Sequence, residues 1–273
     1  MYRKRFGLTC HPIPRDAQGP TFFEGNPTYK KLERAFQFLI ADRGLGACTA
    51  EAGVGKTAAM RNLCRKLPNP DYRPLYVCDT AVTAREVYNN LARELGVWPS
   101  HSRARLWADI KKALLHMVDE RGCVPVIVID EAQHLSDAFL NDLSGFLNFA
   151  FDSRNLLTLW LVGLPAFAER LRMQRHAALA MRVNIHVHLE ALSRTDFGLF
   201  IDHALKAAGA TSRLLSDPAL EMLLRQSNGV PRLASRLLQT TLRIAHERDQ
   251  SFVDEHILDA AIEESELALG SVA

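Results

Sequence analysis

A chain of 273 residues with 48% hydrophobic content is long enough to bury the core of one large or two modest domains. The formal charge of +2 excludes a uniformly basic coat, so any DNA surface must be a local patch. No apolar run is long enough to span a bilayer, the basic start MYRKRFGLTCHPIP lacks the apolar stretch of a secretory signal, and the five cysteines (Cys10, Cys48, Cys64, Cys78 and Cys123) are scattered without a C-x-x-C pair, as reduced core residues of a cytoplasmic protein would be.

Residues 1–28, punctuated by HPIPRDAQGP and EGNP, read as an ordered arm. Residues 29–43 carry the spacing of an amphipathic helix that ends at Gly44. LGACTA (45–50) is short, apolar and turn-bounded, as a buried strand is. A small-residue loop follows, then a helix with apolar spacing at Met60, Leu63, Cys64 and Leu67. PLYVCDT (74–80) is a second strand. Thr83 and Glu86 make a capping box for a helix that Gly96 stops, and a further helix spans 102–122. VPVIVIDEA (124–132) is a fully buried third strand, and a helix capped by Ser136 runs to residue 152. LLTLWLVG (156–163) and VNIHVHLEAL (183–192) are the fourth and fifth strands. His186 and His188 share one face of the fifth; without a third ligand in view they read as partly buried structural residues. Strands alternating with helices mean a parallel sheet covered by helices. Beyond residue 193 only helical patterns remain: 193–209, 217–228, 230–249 and 253–269. Asp217 is expected to be the N-cap of the second of these, with Pro218 at its first helical position. The organisation is an arm (1–28), an α/β core (29–192) and an all-α lid (193–273).

The loop after the first strand, TAEAGVGKTAAM (49–60), fits the phosphate-binding pattern G-x-x-x-x-G-K-[ST], except that Ala50 stands at the first glycine. Such a loop needs small residues and free backbone N–H groups that curl around phosphate oxygens, followed by a helix whose N-terminus faces them. Gly53 and Gly55 supply the permissive backbone, and Ala50 falls at the strand end, where alanine is tolerable. Some seventy residues on, VIVIDEA places Asp130 and Glu131 at the end of the third strand. A carboxylate there can bind Mg2+ beside Thr57, and the next can deprotonate an attacking water. Together the two motifs specify a P-loop NTPase. The letters DEAQ also occur in helicases, but those need two such cores and this chain has room for one. In NGVPRLASRLL, Asn228-Gly229 ends one helix, Pro231 starts another, and Arg232 sits in its first turn.

The arrangement resembles the AAA+ superfamily. More closely, it resembles the ExeA-like AAA+ ATPases and the related TnsC, TniB, MuB and IstB type of transposition regulators. FGLTCHPIPRDA, EAGVGKT, VIVIDEAQHLS, LWLVGLPAFAERL, MRVNIHVHLEAL and SNGVPRLASRLL carry the resemblance over almost the whole chain, in the family order. It implies an AAA+ core of five parallel strands and a helical lid, with ATP and Mg2+ as ligands. It implies a loop of Glu51, Ala52, Gly53, Val54, Gly55, Lys56, Thr57 and Ala58 around the nucleotide, with Lys56 on the β- and γ-phosphates, Thr57 and Asp130 on the metal, and Glu131 on the water. Arg232 would be the sensor-2 arginine. The arginine finger supplied to a neighbouring subunit would be Arg182, with Arg175 as second choice. The sensor-1 position after LVG, usually polar, is Leu164, which suits slow turnover.

The same resemblance implies a homo-oligomer, ring or helical filament, that assembles with ATP on double-stranded DNA without sequence preference and recruits a transposase. Thr83, Arg85, Ser102, Arg103, Arg105, Lys111 and Lys112 are the candidate phosphate contacts. The N-terminal YRKRF is a second candidate contact or a mobile tail, and Phe6-Gly7-Leu8 a candidate neighbour of the adenine. Secretion-type relatives continue into a membrane segment, and the sequence ends after the lid, so DNA is expected rather than a membrane. The alternative is an ExeA-type ATPase regulating a secretion or envelope complex whose membrane part is another chain.

Overall fold

The computed structural model describes residues 2–150 and 153–270. In chain order the elements are α1 (Tyr2–Arg5), α2 (Pro27–Asp42), β1 (Gly44–Ala50), α3 (Lys56–Arg65), β2 (Tyr72–Val77), α4 (Ala84–Leu95), α5 (Arg103–Asp119), β3 (Val124–Ile129), α6 (Asp137–Phe146), β4 (Thr158–Gly163), α7 (Pro165–Leu171), α8 (Ala177–Ala180), β5 (Val183–Leu189), α9 (Arg194–Ala207), α10 (Asp217–Ser227), α11 (Pro231–Glu247) and α12 (Glu255–Gly270). They divide into two compact units, one of residues 28–52 and 59–189, the other of residues 1–27, 53–58 and 190–273.

The first unit is the sheet and its covering helices. Five parallel strands lie in the order β2-β3-β4-β1-β5. The three inner strands are buried almost without a break, as strands covered on both faces must be. The edge strands β2 and β5 instead alternate toward their C-terminal ends, and β2 tolerates Pro74 because an edge strand has a row of unneeded N–H groups. One face packs around Tyr88, Trp107, Phe139, Phe146 and Phe149 in a chain of edge-on and tilted rings. On the other, Phe36 stacks on Trp160, centroids 6.0 Å apart. Thr158 turns its buried hydroxyl to the Leu39 carbonyl at 2.8 Å and so closes the last turn of α2. Thr83 and Glu86 form the expected capping box on α4, and Gly96 ends that helix in the left-handed region.

The second unit is helical. Phe197, Leu205, Leu223, Leu238, Leu242 and Ile257 are among the residues of its core, and Phe6 and Leu8 of the arm pack into the same cluster. The arm is not a mobile tail: α1 is tied by Arg5, whose guanidinium bonds the Asp249 carboxylate at 2.7 Å and the Gln250 carbonyl at 2.8 Å. Thr9 adds a bond to the Ala208 carbonyl.

Four local expectations need correcting. The N-cap of α10 is Ser216, whose hydroxyl accepts from the Ala219 N–H at 3.1 Å; Asp217 and Pro218 lie inside the first turn. The hydroxyl one residue earlier reaches the orphan N–H groups, leaving the Asp217 carboxylate to pair with Arg213. The helix after Ser136 stops at Phe146, because Phe149 folds back into the core; residues 151 and 152 lie outside the described residues. The cysteines form no disulfide, but only Cys48 is buried and Cys78 is exposed. Cys64 is half-covered, and burial pushes its thiol up to about 12, so it stays protonated and unreactive. His186 and His188 stand on exposed positions of β5, where both rings meet the buried Thr49 hydroxyl, at 2.8 and 3.1 Å.

Gly46, mid-strand in β1, is where the sheet tolerates least. An added Cβ would lie 2.7 Å from the Trp160 ring and 2.7 Å from Leu39 Cδ1. Gly46→Ala is expected to lower unfolding stability by about 1–3 kcal/mol, the usual cost of overpacking, measured by urea denaturation against wild type.

Candidate nucleotide site

The small-residue loop adopts the backbone that phosphate binding needs. Gly53 has φ +84° and Gly55 φ +112°, values open to glycine and strained for residues with a Cβ. Ala50 is the last residue of β1, paired with Leu189, so the missing glycine falls on extended backbone. Glu51 and Ala52 are exposed, Gly53, Val54, Gly55, Thr57 and Ala58 partly exposed, and Lys56 is 93% covered as the first residue of α3. The loop is also held from the helical unit to which residues 53–58 belong. The Arg232 N–H donates to the Gly53 carbonyl at 3.2 Å, and a Cβ on Gly53 would sit 2.9 Å from Arg232 Cβ and 3.0 Å from Val230 Cγ1. Arg232 therefore enters the first turn of α11 directly against the loop.

The acidic pair stands at the carboxyl edge of the sheet, the edge from which β1 delivers the loop and where ligands bind in open parallel sheets. Asp130 is 2% exposed. Its Oδ1 accepts from the Glu131 N–H at 2.8 Å and its Oδ2 from the Tyr76 hydroxyl at 2.9 Å. Burial, and then the Asp130 charge, push the Tyr76 phenol upward, which keeps it a donor. Tyr76 was not singled out by the sequence motifs. The register pairs it with Val128, and strand alternation places residue 130 on the same face as 128. A tyrosine on an edge strand beside the acidic strand was the available signal. Glu131 has left-handed backbone, φ 52° and ψ 40°; its carbonyl accepts from the Thr80 hydroxyl at 2.9 Å and its Oε2 from Gln133 Nε2 at 2.6 Å. Leu164 opens α7 without a side-chain cap bond, and its backbone N–H donates to Gln133 Oε1 at 3.0 Å.

The two finger candidates differ. Arg182 lies just before β5, bordering a cavity of about 190 Å³ with Gly44, Asn155 and Asn184 at the amino edge of the sheet. Arg175 is drawn instead to Asp137, at 3.3 Å. Asp137 also receives Arg170 Nε at 2.9 Å and the buried His176 Nε2 at 3.1 Å.

The basic candidates gather where α4 and α5 begin. Arg85 Nη2 reaches the Ser100 carbonyl at 3.5 Å and His101 Nδ1 at 3.4 Å, and Tyr88 meets Trp107 at 5.6 Å, so the two helices start side by side. Thr83 and Ser102 cap them. Arg103 pairs with Asp142 at 2.5 Å while lying 5.0 Å over Trp107, and Arg105 approaches Asp109 at 3.8 Å. Lys111 is the outlier: its ammonium donates to the Asn148 carbonyl at 2.9 Å and sits 4.8 Å from the Phe149 centroid, and this burial lowers its proton affinity. It braces the core rather than extending toward a partner. Lys112, one residue on, is exposed. Phe6 and Leu8, expected near an adenine, are committed to the helical core.

Residues 40–171 match the family described as "AAA domain". The chain is 27% identical over 249 residues to "General secretion pathway protein A" of Aeromonas hydrophila, across 91% of this chain and 45% of that protein. The chain thus spans less than half the length of that relative. Three solved structures illustrate the fold. The Aeropyrum pernix ORC1 protein in complex with DNA aligns with a TM-score of 0.68 and 18% identity, covering 97% of this chain and 70% of that one. Cdc6p from Pyrobaculum aerophilum gives 0.66 and 16%, covering 92% and 68%. The RuvB Holliday junction branch migration motor of Thermotoga maritima gives 0.62 and 18%, covering 93% and 73%. The fold is the AAA+ P-loop fold, a parallel five-stranded sheet with helices and a helical C-terminal part.

The cations around Asp137 make a pH-dependent clasp. Hydrogen bonding from Arg170 holds the Asp137 carboxyl below its ordinary 3.8, helped by Arg175 and His176. A depressed carboxyl contributes stability that is present above its unfolded value and lost as pH falls through the folded one. Asp137→Asn is therefore expected to melt below wild type at neutral pH, with the difference shrinking as pH falls through the lowered Asp137 value, measured by thermal unfolding across pH.

Proposed function

We propose that this protein is an ATP hydrolase that works as an assembly-dependent switch. The observation that carries the reading is the GVGKT curl, two left-handed glycines ahead of Lys56, on the strand that delivers its loop to the edge bearing Asp130 and Glu131. The donor chemistry suits ATP-Mg2+. The Thr57 hydroxyl and Asp130 carboxylate are hard oxygen ligands, and Asp130, with both oxygens already hydrogen-bonded, suits binding through water. When bound, the ion neutralises phosphate charge. Lys56 holds the phosphates, Arg232 reads them from the start of α11, and Glu131 takes the proton from the attacking water.

Arg182 supplies the dependence on assembly. It precedes β5, whereas Glu131 follows β3 at the opposite edge of the same parallel sheet. The seven residues of β5 at ~3.3 Å each put about 20 Å between those edges. A guanidinium there serves a neighbouring copy's site rather than its own.

For the process served, the reading is a DNA transposition ATPase that assembles on duplex DNA and engages a transposase. Its support is the sequence resemblance and the pairing of two helix starts with Arg85, Arg103 and Arg105, where helix N-termini and guanidinium groups favour phosphate. A second reading, regulation of a secretion complex, is favoured by the relative from Aeromonas hydrophila.

Lys56→Ala is expected to abolish binding of a fluorescent ATP analogue. Glu131→Gln should keep that binding and lose at least about 100-fold in phosphate release. Wild type that binds the analogue without releasing phosphate sinks the hydrolytic reading, and measurable turnover that is unaltered in Glu131→Gln removes Glu131 as the base. Electron microscopy with duplex DNA separates the two processes. Rings or filaments on DNA only with a non-hydrolysable ATP analogue support transposition; assembly indifferent to DNA in every nucleotide state supports the secretion reading.

A further inference from the structure

We propose that Gln133 is the positioning residue for Glu131. The proposal rests on the hydrolytic reading above and names the group that aims its general base.

The Gln133 carboxamide spans two fixed points. Nε2 donates to Glu131 Oε2 at 2.6 Å, and Oε1 accepts the Leu164 N–H at 3.0 Å. Chemistry fixes that orientation. Turned over, the amide would face a backbone donor with its NH2 and a carboxylate with its oxygen, two repulsive contacts in place of two bonds. The glutamine is held from further sides as well. It lies in the single 3-10 turn Ala132–His134 directly after Glu131, and its carbonyl accepts from Arg170 Nη1 at 3.2 Å. Gly163, the last residue of β4, leaves the space it occupies: a Cβ there would stand 2.9 Å from Gln133 Oε1 and 3.3 Å from the Gln133 nitrogen. The carboxamide is wedged where the third and fourth strands end.

Leu164 explains why such a wedge is needed. At the position where a polar side chain is expected, leucine offers the site only a backbone N–H. Gln133 takes up that N–H and returns a donor aimed at the carboxylate. Glu131 also needs the restraint, because its left-handed backbone is unfavourable for a residue with a Cβ. Thr80 fixes its carbonyl and Gln133 fixes its side chain.

The bond occupies Oε2 and leaves Oε1 to receive a proton. In the hydrolytic step the water oxygen forms a bond to the γ-phosphorus as its proton passes to Glu131. The bond from γ-phosphorus to the bridging oxygen breaks, and its electron pair leaves with ADP. Gln133 gains or loses no atom; it sets the direction of the accepting oxygen.

The test is steady-state phosphate release by the full chain, with and without duplex DNA, for wild type, Gln133→Glu, Gln133→Ala and Gly163→Ala. Gln133→Glu is the discriminating variant, since it keeps the size and the acceptor for the Leu164 N–H but drops the donor to Glu131. The expected result is a kcat lowered about 10- to 100-fold in all three variants, as displacement of a reacting group produces. KM and ATP-analogue affinity should stay near wild type. A purely bracing role predicts that Gln133→Glu keeps wild-type kcat, and that outcome overturns the proposal. So does a fall in kcat matched by an equal loss of analogue binding. Wild type that binds ATP without turnover overturns the hydrolytic reading and this one with it. Normal wild-type turnover, lost in Glu131→Gln but untouched in the Gln133 variants, overturns this one alone.

Discussion

Burial of β1, β3 and β4 on both faces is the constraint from which the rest of the structure follows. An inner strand flanked by ladders and covered by helices has no place for a charged side chain along its length. Polar chemistry can begin only where such a strand ends. Because the five strands are parallel, their carboxyl ends share one edge. Asp130, Glu131, Thr80 and Leu164 therefore meet at a single rim, and Ala50 releases its loop from that rim. Parallel pairing, rather than any one motif, turns residues scattered from 50 to 164 into one neighbourhood.

That logic explains what the sequence could reveal. The inner strands announce themselves as unbroken apolar runs, and the acids mark where one of them stops. The capping box at Thr83 and the left-handed stop at Gly96 were legible because each is a local hydrogen-bond solution written within a few residues. The Asp217 expectation failed for the same local reason. Ser216 and Asp217 are both good caps, and only the backbone shows which of them stands outside the helix. Tyr76, Gln133 and the Asp137 clasp were not legible, since each acts across strands or helices. Tyr76 needs the β2–β3 register before it meets Asp130. Gln133 needs the end of β4, 30 residues away, before its amide has two partners. No spacing rule within a segment carries that information.

The charged groups show a similar separation. Thr83 and Ser102 could be read either as phosphate contacts or as helix caps, and in this structure both hydroxyls cap. Lys111 looked like one more exposed cation on a basic stretch, yet its ammonium lies over aromatic rings beside a backbone carbonyl. Arg85, Arg103 and Arg105 remain at the surface with partners weak enough, as exposed ion pairs are, to be exchanged for phosphate at low cost. A phosphate-contacting surface of that kind is sensitive to salt and indifferent to sequence.

Glu131 joins these threads. A residue with a Cβ in left-handed backbone stores strain of about 1 kcal/mol or more, and a fold keeps it only where surrounding bonds over-determine it. Here Thr80 from the end of β2 and Gln133 from the turn after β3 supply those bonds, and Leu164 at the end of β4 holds Gln133 in turn. Three strand ends thus converge on one carboxylate. A shift of β4 or its following helix would move Leu164, turn the Gln133 amide and redirect the Glu131 carboxylate. Arg170 bonds the Gln133 carbonyl and Asp137, and Asp137 also holds Arg175. The segment between β4 and β5 is therefore joined by a chain of hydrogen bonds to the Glu131 carboxylate. That segment leads to Arg182, so a contact made there with a neighbouring subunit would reach Glu131 through bonded groups rather than through space.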